Sequence, residues 1–364
     1  MLQRFKSLSL LLIAGILLAA CAAATATPVL VPEPDPEADP EPGGEENISG
    51  GEAAEGDLVI YSGRSENLVA PIIQQFAEAT GIDVQVRYGG TAEIAAALLE
   101  EGENSPADIF YAQDPGGLGA IEDAGLLVEL SEEILGNVDP NFASPAGKWV
   151  GITARVRVVV YNIEALSPED LPVDLSGFAD QVWDGRLGIP PTNASFLTMI
   201  TAMRNLWGEN ETRAWLEGIL ANHPVYYENN TAIVAAVGAG EVDAGLVNHY
   251  YLYRFLAEEG ESFPARNYYM TKGGPGSLVM VSGAGILANG RNQENAQRFL
   301  EFMLSKVAQQ YFASQTFEYP LVEGVVTSNL LTPLSQLNPP DVSMSDLADL
   351  EGTAALLQEV GMIP

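Results

Sequence analysis

Thirteen tyrosines, two histidines and a single cysteine bound the metal-ligand and nucleophile chemistry open to this 364-residue chain. Three tyrosine pairs occur, Tyr226-Tyr227, Tyr250-Tyr251 and Tyr268-Tyr269. The middle pair stands in Gly245-Leu-Val-Asn248-His249-Tyr250-Tyr251, where an apolar strand pattern gives way to a helical one. Ligand sites in open α/β sheets lie at the carboxyl ends of strands, so both phenols can serve one spot. A tyrosine at pH 7 sits ~3 units below its pKa, and ionising each costs about 4 kcal/mol. Only a hard, strongly Lewis-acidic ion offsets that twice. Ferric iron fits; zinc and copper favour imidazole and thiolate, which this chain almost lacks. Two other roles stay open at this point: a half-buried helix start, or aromatic stacking on an organic ligand.

The elements that must position these residues alternate. Leu58–Tyr61, Val84–Val86 and Asp108–Tyr111 read as short buried strands, separated by helical patterns beginning after Ser65, around Ile94–Leu99 and at Gly117–Asp123. Ser65 is placed to cap the first of those helices. After a long strand at Arg155–Tyr161 the alternation resumes: strands at Leu187–Ile189 and Ala244–Val247, with helices at Ser195–Leu206, Arg213–Leu220, Ala232–Val237 and Tyr250–Glu259. A return strand at Leu278–Val281 precedes one amphipathic helix over Asn295–Phe312. The pattern predicts an α/β protein with two lobes and a cleft between them, each lobe a mixed, mostly parallel sheet flanked by helices. The expected division is 57–154 plus 278–325 for the N-terminal lobe and 155–277 plus 326–364 for the C-terminal lobe.

Composition removes several function classes. The chain carries 49 acids against 16 bases, a formal charge of −33, whereas nucleic-acid binding needs a basic face to replace phosphate counterions. One cysteine excludes an internal disulfide and any cysteine-rich zinc or iron–sulfur site. Neither G-x-S-x-G, nor a P-loop, nor H-E-x-x-H, nor a dinucleotide glycine fingerprint is present, so the expectation is a protein that is not an enzyme.

The amino terminus reads as an address. Arg4 and Lys6 precede an apolar run from Leu8 to Ala20, too short to span a bilayer, and Cys21 follows at once. Leu18-Ala19-Ala20-Cys21 resembles the lipobox of bacterial lipoproteins, which implies a signal peptide over 1–20 and a lipid on Cys21. Residues 21–56, rich in Pro, Glu and Gly, form an expected tether reaching on the order of 100 Å at ~3.1 Å per residue. The part beyond it, 57–364, keeps 40 acids and 14 bases, or −26.

Several ordered motifs carry a family resemblance. These are Tyr61-Ser-Gly-Arg-Ser65, Ser105-Pro-Ala-Asp-Ile-Phe-Tyr111, Arg155-Val-Arg-Val-Val-Val-Tyr-Asn162 and Asn248-His-Tyr-Tyr251. Gly274-Pro-Gly276, Ser282-Gly-Ala-Gly285 and Glu318-Tyr-Pro320 complete the set. Over about 57–330 the chain resembles bacterial ferric-iron-binding proteins of ABC transporters, within the type 2 periplasmic binding protein fold.

That resemblance implies Tyr250 and Tyr251 as ligands of transported Fe3+, with a synergistic anion such as carbonate completing the shell. It places the anion at Thr192, Asn193, Ala194 and Ser195, where a helix start favours negative charge, with Arg155, Asn230 and Asn248 in support. One branch of the family supplies a histidine and a glutamate from the first lobe; Ser65 and Gln113 stand there in this sequence. Another adds a tyrosine near the anion loop, where Asn193, Ala194 and Ser195 offer none. The first lobe is therefore left with Arg64, Ser65 and Gln113, acting through anions or water. The implied partner is an ABC transporter permease, and the implied protein a monomer outside the cytoplasm that touches the membrane only through its lipid. The competing expectation on the same fold is a receptor for an organic or oxyanion solute such as a phosphonate, thiamine or a polyamine.

Overall fold

The computed structural model describes residues 57–364; the expected signal peptide, the expected lipid site at Cys21 and the expected tether lie outside the described residues. Strands β1 (Asp57–Ser62), β2 (Asp83–Tyr88) and β3 (Ile109–Ala112) alternate with helices α1 (Glu66–Thr80) and α2 (Thr91–Glu101). Helices α3 (Pro115–Asp123) and α4 (Glu132–Leu135) lead to the 13-residue strand β4 (Val150–Asn162). The second half continues with β5 (Leu187–Ile189), α5 (Ala194–Trp207), α6 (Glu209–Ala221), β6 (Val225–Tyr226), α7 (Asn230–Ala239), β7 (Ala244–Asn248), α8 (Tyr250–Glu259) and β8 (Ala265–Tyr268). Then come β9 (Val279–Ile286), α9 (Gln293–Met303), α10 (Lys306–Tyr311), β10 (Tyr319–Pro320) and α11 (Leu350–Glu359).

The strand order is β2-β1-β3-β9-β4-β7-β5-β6, with β8 and β10 also pairing β4. Parallel pairing is confined to the outer strands of each half, β2-β1-β3 and β7-β5-β6. Where β9 and β4 cross the middle, every pairing is antiparallel. Strand β4 is shared. Its residues Val150–Val156 pair β9, whereas Arg157–Tyr161 pair β7. Being buried on both faces, it reads as a near-continuous apolar run.

Each half has its own core. Leu58, Ile72, Phe76, Ile109, Phe299 and Phe312 anchor one, with Phe76 edge-on to Phe299 at 5.2 Å. Phe178, Trp183, Phe196, Met199, Trp215 and Leu357 anchor the other. A third cluster, including Phe110, Val156, Val247, Tyr250 and Leu347, lies between them.

Two local differences from expectation have plain causes. The stretch expected as one helix over Asn295–Phe312 breaks at Leu304-Ser305, because the Ser305 hydroxyl accepts from Ala308 N at 3.3 Å and caps a fresh start. Ser65 holds the N-cap position of α1 but makes no side-chain cap bond. No helix among the described residues is long and apolar enough to cross a membrane.

Candidate functional site

The carboxyl ends of β1, β3, β5 and β7 lead directly into Arg64, Gln113, Thr192–Ser195 and Tyr250–Tyr251. Strand β4 adds Arg155 and Arg157 from its middle. Side chains two apart on a strand share a face. The two guanidinium groups therefore stand on one side of β4, either side of the point where it changes partners.

Tyr250 and Tyr251 open α8. Their rings stack with centroids 4.3 Å apart and planes inclined by 27°. Tyr250 is fully buried and Tyr251 is 8% exposed. The Tyr250 hydroxyl has no hydrogen-bond partner among the described residues. A buried, unmatched phenol costs stability unless something else satisfies it. His249 is not that partner. Its Nδ1 accepts from Val156 N at 3.2 Å, which leaves Nε2–H to donate to the Phe317 carbonyl at 2.8 Å. Burial pushes its pKa down to about 4, so the ring is neutral and both nitrogens are spent. The other histidine, His223, is an exposed partner of Asp184 on the surface.

The second half builds an amide network around Arg157. Its Nη1 donates to Asn230 Oδ1 at 3.3 Å and Asn248 Oδ1 at 3.1 Å. Asn248 donates through Nδ2 to Ser195 Oγ at 3.1 Å, and Asn230 Nδ2 donates to Asn193 Oδ1 at 3.3 Å. Asn193 is also the N-cap of α5, accepting from Ser195 N at 3.1 Å. Four residues expected to support an anion are thus one connected set. The cap also occupies the Ser195 N–H that was a candidate donor. Burial, with Arg155 alongside, lowers the Arg157 pKa to about 9, opposed by Tyr251; the group stays charged at neutral pH.

The first half contributes Arg64. It is buried and pairs through Nη2 with Glu318 Oε1, itself buried. Burial pulls the Arg64 pKa down, but Glu318 more than offsets it, and the group is held above its ordinary range. Arg155 Nη2 donates to the Gln113 carbonyl. Burial lowers the Arg155 pKa, with Tyr250 acting against it and Arg64 with it. Asp114, next to Gln113, is buried and its pKa raised by that burial, against the pull of Arg155.

Three buried arginines therefore face the tyrosine pair, and five of their nitrogens find no partner among the described residues: Nε and Nη1 of Arg64, Nε of Arg155, and Nε and Nη2 of Arg157. The arrangement is chemically legible. Two phenol oxygens can bind a hard cation, and unspent guanidinium N–H groups can bind the anionic oxygens that accompany it. Among the described residues no three His, Cys, Asp or Glu side chains converge on a metal position.

Of the residues expected from sequence, Arg64, Arg155, Asn193, Ser195, Asn230, Asn248, Tyr250 and Tyr251 are joined by these contacts and fields. Gln113 joins through its backbone carbonyl. Ser65 and Thr192 are exposed, and Ala194 is half-buried at the first position of α5. No site role for Arg157 or Glu318 was legible in the amino-acid sequence. The signal for Arg157 was its place inside an otherwise apolar strand. Glu318 stood in the Glu318-Tyr-Pro320 motif, but its pairing with Arg64 was not legible because the two lie 254 residues apart.

Residues 58–318 match the model of the bacterial extracellular solute-binding protein family. The Fe(3+)-binding periplasmic protein of Serratia marcescens is 35% identical over 318 residues, covering 86% of this chain and 94% of that protein. The crystal structure of iron-bound HitA from Pseudomonas aeruginosa is 38% identical with a TM-score of 0.80, covering 84% of this chain and 99% of HitA. A Trichodesmium IdiA/FutA structure in complex with iron and citrate is 29% identical, with a TM-score of 0.74 and the same coverage of both chains. The two-lobed fold expected from the resemblance is the fold found. This chain belongs to the bacterial extracellular solute-binding proteins.

Proposed function

We propose that the protein binds ferric iron together with an exogenous anion outside the cytoplasm and passes the iron to an ABC transporter permease, acting by capture and release rather than turnover. One observation carries this reading: two stacked phenols at one strand end, one with its buried hydroxyl unmatched, beside three buried guanidinium groups. The names of the Serratia, Pseudomonas and Trichodesmium relatives support the same ligand.

In this reading Tyr250 and Tyr251 are the iron ligands. The anion, carbonate or a small carboxylate, lies against Arg64, Arg155 and the Thr192–Ser195 turn, with Asn230 and Asn248 holding Arg157 behind it. Residues 57–154 with 278–325, and 155–277 with 326–364, act as the two lobes that close on the ligand. A lipid on Cys21 keeps the monomeric receptor at the membrane surface.

Purified protein titrated with ferric salt in bicarbonate, in citrate and in phosphate tests the reading. A coloured tyrosinate–iron complex and a raised melting temperature are expected with at least one anion. A colourless protein with no thermal shift under all three would sink it, and would favour the organic-solute alternative, in which the tyrosines stack on the ligand.

A further inference from the structure

Glu318 lies outside the tyrosine pair, the amide network and the anion turn, yet it is among the most thoroughly enclosed carboxylates of the described residues, 1% exposed. Each of its oxygens is engaged. Oε1 accepts from Arg64 Nη2, and Oε2 accepts from Thr153 Oγ1 at 2.6 Å. Thr153 Oγ1 lies 2.7 Å from Ser282 Oγ. Since the Thr153 proton is committed to Glu318, Ser282 is the donor in that contact. The Tyr111 ring borders the set; burial pushes its phenol up to about 12 while Arg64 pulls it down. Thr153 and Ser282 belong to β4 and β9, which hydrogen-bond to each other at this register. The platform under the carboxylate is paired sheet, with a register shift between Gly151 and Thr153 just before it.

The turn that delivers Glu318 is equally constrained. Phe317 adopts φ of 57°, a left-handed conformation that is uncommon for a bulky residue. It follows one π-helical turn at Phe312–Thr316. Its carbonyl accepts from His249 Nε2, the residue immediately before Tyr250. A non-glycine residue stays in this region only where its surroundings over-determine it. Glu318 is thus fixed from one side by the sheet and from the other by the start of the tyrosine helix. Its effect on Arg64 is to spend one guanidinium nitrogen while Nε and Nη1 stay buried without a partner among the described residues.

From this geometry we infer that Glu318 is the positioning residue of the first half of the site. It fixes the guanidinium of Arg64 so that its two unspent nitrogens donate to the anion bound with iron. The inference rests on the ferric reading above.

The test compares Glu318→Gln and Glu318→Asp with wild type in the full chain, titrating bicarbonate or citrate at fixed ferric iron and following the visible band. Glu318→Gln removes the charge; Glu318→Asp keeps the charge and shortens the reach by one methylene, so the buried pair need not be broken. A charge-assisted hydrogen bond contributes enough that half-saturating anion should rise about tenfold or more in Glu318→Gln. A rise of about threefold or more is expected in Glu318→Asp. The band position should not move, since both tyrosines remain. Melting curves without iron report the folded fraction of each variant. If Glu318→Asp matches wild type, the carboxylate only balances charge and the inference is overturned, whether or not Glu318→Gln folds. A wild type that takes no iron with any anion overturns the ferric reading itself. A wild type that binds, with Glu318→Asp indistinguishable from it, overturns the positioning role alone.

Discussion

Arg155 and Arg157 stand two residues apart on β4, and the strand changes partners between them. Val156 is the last residue paired to β9, and Arg157 the first paired to β7. Arg155 reaches back to the Gln113 carbonyl of the first half, and Arg157 into the asparagine pair of the second. One dipeptide step therefore supplies each half of the sheet with a buried cation, and among the described residues neither guanidinium is salt-bridged to a carboxylate in the manner of Arg64. A buried charge that is not directly paired is unfavourable, and carboxylates offset Arg155 only through the fields of Asp114 and Glu318. Tyrosinate and a bound anion would supply the missing negative charge.

Tyr250 and Tyr251 should be separable by mutation. Groups that only support a metal ligand contribute 10–100-fold to affinity, so loss of a direct ligand should exceed about 100-fold. Tyr250→Phe is expected to abolish the visible band, and Tyr251→Phe to weaken and shift it. Chelator competition gives the affinities. Two variants that both keep wild-type affinity would contradict the assignment.

Arg157 should matter to the ligand more than to the fold. Arg157→Met removes the donor to Asn248 Oδ1, an unmatched acceptor costing about 1–3 kcal/mol, but it also removes a buried charge whose hydration was lost. These oppose each other, and stability by denaturant unfolding should stay within about 2 kcal/mol of wild type. Iron binding should fall about tenfold or more. Gross destabilisation with binding retained would make Arg157 a structural residue.

Acid stability should report His249. Its folded pKa of about 4 lies below the ordinary value of 6.5, so the neutral ring contributes stability that is complete above about pH 6.5. That contribution is lost as pH falls towards 4, in all about 3 kcal/mol. Thermal melts of the iron-free protein between pH 7 and 4.5 should fall more steeply in wild type than in His249→Gln. Parallel curves would show that protonation of this ring is not coupled to unfolding.

The segment before α11 links the halves. It packs between α3 and α5. A Cβ added at Gly119 of α3 would lie 2.9 Å from Ala348 Cβ, and one at Gly116 would meet the Leu350 side chain at 2.7 Å. From the other side Arg204 of α5 donates to Asp349 at 2.9 Å. Gly119→Ala should cost about 1–3 kcal/mol through overpacking and speed iron release. Stopped-flow chelation and melting curves measure the two effects. An unchanged release rate would mean that this contact is the same with and without iron.

Much of this protein was decided by local sequence. Alternating apolar runs and turn residues fixed β1, β3, β5 and β7 nearly to the residue, and with them the loops that carry Arg64, Gln113, Thr192–Ser195 and Tyr250–Tyr251, because periodicity and strand-end position are short-range properties. The adjacent tyrosines, the near-absence of imidazole and thiolate and the strong acidity were likewise written in composition. Tertiary structure alone decided that Arg157 organises the asparagines, that His249 is spent on backbone groups, and that Glu318 fixes Arg64. Each of these depends on partners 68 to 254 residues apart. The physical reason is that a buried charge is defined by what surrounds it: the same arginine is a solvated surface group or a directed donor according to which side chains the fold brings to it.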